Sequence, residues 1–146
     1  MKTFFAFILC VTIFVTGCNF TNTEHYRVTN VAVGSHSADR IKSIVRMAAR
    51  KTGMTNEIST SIVANTLVSF GGGGKYPNVL GAHFCNGDVL IDIQALHGHH
   101  ISAFESAKHH LIPALTKEFG SSFQTLDRPP ANDCGPGFSV DLLVKP

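Results

Sequence analysis

Five of the eight histidines in the chain fall between positions 97 and 110, as His97, His99, His100, His109 and His110. Imidazole nitrogen is a common ligand for zinc and copper. A connection holding His97, His99 and His100, followed by a helix carrying His110, would bring a ligand set together. Neighbouring residues on a helix point about 100° apart, so only one of His109 and His110 readily serves the same ion. No HExxH or CxxC motif accompanies the cluster, so surface or partly buried histidines are the favoured account and a metal site the alternative. His83 and Asp92 form a second group. They share one face of the hairpin described below, with Gly81 opposite Asp92 leaving a dip between them. Gly81, His83, Asp92 and Gln94 are therefore either a binding face with a potential acid–base pair or ordinary polar residues on an open sheet. No nucleophile can be placed beside them from the sequence.

Ser35-His36-Ser37, with Arg40 close by, could hold an anion at a helix start, although plain helix capping explains the same serines. Gly71 to Gly74 followed by Lys75 falls short of a phosphate loop. That pattern requires Gly where Ser69 stands and Ser or Thr where Tyr76 stands. A nucleotide site is excluded on this ground. With neither a GxSxG signature nor a paired-carboxylate signature, we expect no enzyme and no catalytic residue. No cofactor is expected either, zinc or copper on the histidines being the alternative.

The element that positions His83 and Asp92 is read from Val79 to Leu96. Asn86-Gly87 suits a two-residue type I′ turn, in which both positions take positive φ. Pairing outward from it sets Cys85 against Asp88, Phe84 against Val89, His83 against Leu90, Ala82 against Ile91, Gly81 against Asp92 and Leu80 against Ile93. One face is then wholly apolar and should be roofed by helices. The other is mostly polar or small and should stay open. A slip of one residue would exchange the two faces, so the pattern itself specifies the register.

Around the hairpin, Tyr26 to Gly34 reads as a strand and Ala38 to Thr52 as a helix, capped by Ser35 or Ser37 and stopped by Gly53. Ile41, Ile44, Val45 and Ala48 form its core stripe. Lys42, Arg46 and Arg50 recur every four residues with Lys51 beside them. They form either a contact for anionic lipid or another acidic envelope surface, or a solvated helix face. Glu57 to Phe70 fits both periodicities, and its β-branched residues favour extended structure. Gly71 to Gly74 should break any element. Ser102 and Glu105 form a capping box for a second helix, with Phe104, Ala107, Leu111, Leu115 and Phe119 facing the hairpin and Pro113 producing a kink or restart. Ser121 to Gly137 reads as loop and Phe138 to Lys145 as the last strand. The fold class is therefore α+β, a two-layer sandwich with a four-stranded antiparallel-rich sheet and two helices on one face, in the ferredoxin-like split β-α-β order.

At 146 residues and a formal charge of +2, the chain offers one domain and no electrostatic footprint for nucleic acid. Its N-terminus carries Lys2 and then an apolar run of 12 residues, Phe4 to Val15, too short to span a ~30 Å hydrocarbon layer. The run ends Val15-Thr16-Gly17-Cys18. Here the chain resembles the bacterial lipoprotein class over its first 18 residues. The resemblance implies a signal peptide over residues 1–17, cleaved before Cys18. It also implies diacylglycerol on the Cys18 thiol and a fatty acyl chain such as palmitate on its amine. Asn19, where an Asp would favour inner-membrane retention, points to the outer membrane. Residues 18–25 would then be a lipidated tether and 26–146 a single α+β domain. Ordinary secretion with a free Cys18 thiol is the alternative. In an oxidising compartment Cys85 and Cys134 are the remaining pair. A bridge between them would close a loop of about 50 residues and stabilise by roughly 4 kcal/mol. Two unrelated buried thiols are the other reading. The function expected on this basis is a cell-envelope lipoprotein facing the periplasm or cell surface. It would be a non-enzymatic binding or adaptor module for an envelope protein or assembly, using the open sheet face or an unpaired strand edge.

Overall fold

The computed structural model of the chain describes residues 21–58, 65–71, 78–96 and 101–128. Its sheet is built outward from the hairpin of β4 (Asn78–Cys85) and β5 (Asp88–Leu96). Asn86 and Gly87 take φ of 51° and 84°, as a type I′ turn requires, and the register from Cys85↔Asp88 to Leu80↔Ile93 is the expected one. β1 (Thr21–Val28) pairs antiparallel with Val89 to Leu96 of β5, and β6 (Phe123–Leu126) lies on its far side. Beyond β4 come β3 (Thr66–Gly71), with an irregularity between Thr66 and Val68, and the two-residue β2 (Asn56–Glu57). The order is β2-β3-β4-β5-β1-β6, antiparallel throughout.

Two helices cover one face. In α1 (His36–Lys51) the Ser35 hydroxyl accepts from the Ala38 amide at 3.2 Å, and Gly53 at φ 78° turns the chain away after the Thr52 cap. Its stripe of Ile41, Ile44, Val45 and Ala48 is buried. α2 (Ile101–Phe119) buries Phe104, Ala107, Leu111 and Leu115 at helical spacing. These stripes meet Leu80, Ala82, Val89, Ile91 and Ile93 of the hairpin, together with Tyr26, Val28, Val68 and Phe70. Arg40 near the start of α1 forks onto Glu118 near the end of α2 at 2.9 and 2.8 Å, which fits an antiparallel helix pair. No described helix is long and apolar enough to cross a membrane.

Several boundaries differ from the expected ones. The sheet has six strands rather than four. β1 begins at Thr21, so residues 21–25 are strand rather than tether. It ends at Val28 because Asn30, at φ 60°, turns the chain toward α1. Its length follows its partner, since each residue from Thr21 to Val28 faces one from Leu96 back to Val89. Gly71 closes β3 instead of breaking it, paired with both Val79 and Asn56. Ser102 lies inside α2 rather than capping it, and the helix continues through Pro113 without a restart. Pro113 is exposed, so the carbonyl it leaves without a helical partner lies on the solvent side. Phe123–Leu126, expected as loop, is strand, with Phe123 stacked on Tyr26 at 5.7 Å between ring centroids. The strand expected over 138–145 lies outside the described residues. If the Leu111 side chain is the contact that joins α2 to the sheet, Leu111→Ala should lower unfolding free energy by about 2–5 kcal/mol. Denaturant titration at equilibrium checks this; a loss under about 1 kcal/mol would show that α2 contributes little to the core.

Candidate functional site

The sheet face turned away from the helices carries the polar residues. Strand pairing sets Ser69 beside Gly81, Gly81 beside Asp92, and Asp92 beside His25, one row across β3, β4, β5 and β1. In the neighbouring row Thr66 faces His83, and His83 faces Leu90. His83 is thus diagonal to Asp92, and with no side chain on Gly81 nothing from β4 stands between them. The Asp92 carboxylate holds both imidazoles. Its Oδ1 lies 2.5 Å from His25 Nδ1, and its Oδ2 lies 3.5 Å from His83 Nδ1. Burial pushes His83 below the ordinary imidazole value, with neighbouring His25 acting in the same direction and Asp92 opposing it.

This cluster is closed rather than open. His83 is 6% exposed and Asp92 5%; Gly81 is buried and Gln94 half-buried. The expectation of a bare polar face fails, and the burial extends to the apolar positions of that face. Val79, Cys85 and Leu90 alternate with the polar groups on that face, and each is buried. Cys85 is disulfide-bonded, and Cys134, its expected partner, lies outside the described residues. The Ser69 and Thr66 hydroxyl oxygens are buried and have no hydrogen-bond partner. An imidazole–carboxylate pair is therefore present, while neither neighbouring hydroxyl is hydrogen-bonded to the imidazole. His25 and Ser69 were missed in the sequence. The alternation of His25 and Arg27 with Tyr26 and Val28 puts His25 on the face away from the core, but its place opposite Asp92 comes from the pairing of β1 with β5, for which the sequence carries no signal.

Other candidates are separated or already engaged. His97, His99 and His100 lie outside the described residues. His110 is half-buried on α2, its ring centroid 5.6 Å from that of exposed His109. Among the described residues no three His, Cys, Asp or Glu side chains are grouped to hold a metal. At the start of α1, Ser35 is occupied as the cap and Arg40 by Glu118, so the serines and the guanidinium do not converge on a common anion. Asp88 accepts from Arg27 Nε at 2.6 Å and from the Asn30 amide at 2.9 Å, tying the hairpin turn to the end of β1.

Two exposed surfaces lie on the helix layer. The outer side of α1 borders a groove of about 500 Å³ lined by Asp39, Lys42, Ser43, Arg46, Met47 and the basic pair Arg50 and Lys51. On α2 a smaller groove of about 320 Å³ is lined by Glu105, Lys108, His109, Ile112 and Pro113. Lys108 bridges from there to Glu24 of β1 at 2.5 Å.

No known family model matches the chain, and no curated protein is significantly similar to it.

The depressed His83 pKa has a definite sign in stability. The folded protein takes up this proton less readily than the unfolded chain, whose imidazole titrates near 6.5. Acidification through about pH 6.5 therefore protonates the unfolded state first and lowers stability, while the contribution is constant well above that value. Thermal melts from about pH 7.5 to about pH 5.5 should show a falling Tm, with a shallower fall in His83→Gln. An identical slope in the variant would remove His83 as the cause.

Proposed function

We propose that the chain is a cell-envelope lipoprotein, acylated at Cys18, anchored in the outer membrane and facing the periplasm or cell surface. Its domain acts as a non-enzymatic binding or adaptor module for an envelope protein. The Val15-Thr16-Gly17-Cys18 motif supports the anchor. The observation that carries the binding reading is where the polar groups lie. The His25–Asp92–His83 cluster is closed within the far face, whereas the outward-facing recess on α2 combines Ile112 and Pro113 with the charges of Glu105 and Lys108. That recess replaces the sheet face as the contact surface of the module. An apolar centre with an ionic rim is the usual make-up of a protein contact. We also read β4-β5-β1-β6 as the split β-α-β core, with β3 and β2 added at the outer edge of β4. The Cys85 disulfide would run to Cys134.

Crosslinking in intact membranes followed by affinity purification of the acylated chain tests this reading. A stoichiometric envelope protein should be captured by the native chain. It should be lost in the exposed-site variants His109→Glu and Pro113→Glu, whose Tm should stay within about 3 °C of the native value. Capture that survives both substitutions rejects the α2 recess. Absence of any partner, with zinc or copper bound to the purified protein, rejects the adaptor reading in favour of metal binding through His97, His99, His100 and His110.

A further inference from the structure

The chain topology sets the proposed anchor and the basic helix at the same end of the sheet. Asn56 pairs with Gly71, Gly71 with Val79, Val79 with Gln94, and Gln94 with Thr23, a single row from β2 across to β1. α1 ends at Lys51, five residues before Asn56. β1 starts at Thr21, two residues before Thr23 and three after Cys18. Three residues carry a chain at most about 11 Å. An acylated Cys18 would therefore hold the leaflet close to the row at which α1 terminates.

Among the described residues the charges at that end are mainly positive once internal pairs are set aside, the exposed Glu105 carboxylate of α2, 3.7 Å from Lys108, being the exception. Arg46 forks onto Glu57 at 3.2 and 2.6 Å, and Glu24 is taken by Lys108. Lys42, Arg50 and Lys51 remain on the α1 groove, with Met47, 39% exposed, among them. Asp39, the carboxylate on the same groove, stands one turn before Lys42 in the first turn of α1, so Arg50 and Lys51 are the groove cations furthest from it. A cationic helix surface with an exposed thioether beside a lipid anchor matches a leaflet bearing anionic headgroups, and each such cation strengthens binding about fivefold.

We propose that the outer face of α1, with its Lys51 end foremost, rests on anionic phospholipid and fixes the orientation of the anchored domain. This rests on the lipoprotein reading, and it leaves the α2 recess to a protein partner. Lysine footprinting tests it on the isolated full chain, reconstituted in vesicles of phosphatidylcholine alone or mixed with phosphatidylglycerol. An amine-reactive ester is read out by mass spectrometry. In anionic vesicles Lys42 and Lys51 should lose reactivity about threefold or more, reversed by high salt. Exposed Lys117, near the far end of α2, should be unchanged. Equal reactivity of Lys42 and Lys51 on both vesicles, or equal protection of Lys117, overturns the inference. The mass of the N-terminal peptide from the same digest reports acylation separately. An unmodified Cys18 rejects the anchor reading, while the lysine pattern still decides for or against the α1 face.

Discussion

The left-handed backbone at Asn86 and Gly87 determines which way the side chains of β4 and β5 point, because a pleated strand repeats every two residues. With that turn in place, Leu80, Ala82, Ile91 and Ile93 face the helices while Gly81, His83, Leu90 and Asp92 face away. β1 then inherits its two faces from β5, residue for residue, and β6 inherits its own from β1. A shift of one position would bury His83 and Asp92 under α1 and α2 and expel the aliphatic residues. The cost of burying those polar groups without partners is what keeps the register unique.

The far face poses a different physical problem. It mixes aliphatic side chains with ionisable ones, and both kinds are withdrawn from water. One carboxylate solves most of this, since Asp92 offers an oxygen to each of two histidines across three adjacent strands. Removing it would take the hydrogen-bond partner from half-buried His25, at a cost of about 2 kcal/mol for a hydrogen bond to a charged group, and the nearby carboxylate from buried His83. Gly81 makes the arrangement spatially feasible by leaving the row between Ser69 and Asp92 without a side chain. The same arrangement ties β4, β5 and β1 together through one carboxylate.

Much of this architecture can be read from local residue patterns. The Asn-Gly turn, the α1 stripe from Ile41 to Ala48 and the α2 stripe from Phe104 to Leu115 are strong periodic signals, and each has the structure it implies. What local pattern leaves out is length set by a partner strand. Thr21 to Glu24 is polar and resembles a tether, yet it is strand because β5 offers it a complete ladder. Phe123–Leu126 is too short to carry a signal between Gly120 and the prolines, and gains its conformation from β1. The polar face was legible as a set of residues but not in its burial, because Val79 and Leu90 are only two apolar positions among many polar ones. His83 and Asp92 could be assigned to one face from sequence; the place of His25 beside them could not, since it depends on the pairing of β1 with β5.

One turn thus sorts the side chains into three places. The core lies under the helices, the ionisable cluster is closed into the far side of the sheet, and the helix layer carries its charges on the outside. Chemical modification of histidines by diethyl pyrocarbonate, mapped by mass spectrometry on the native protein, tests the closure of the far face most directly. The account predicts that exposed His36 and His109 react readily while His83 stays protected until the protein unfolds. Modification of His83 in the native state at the rate of His36 would contradict it.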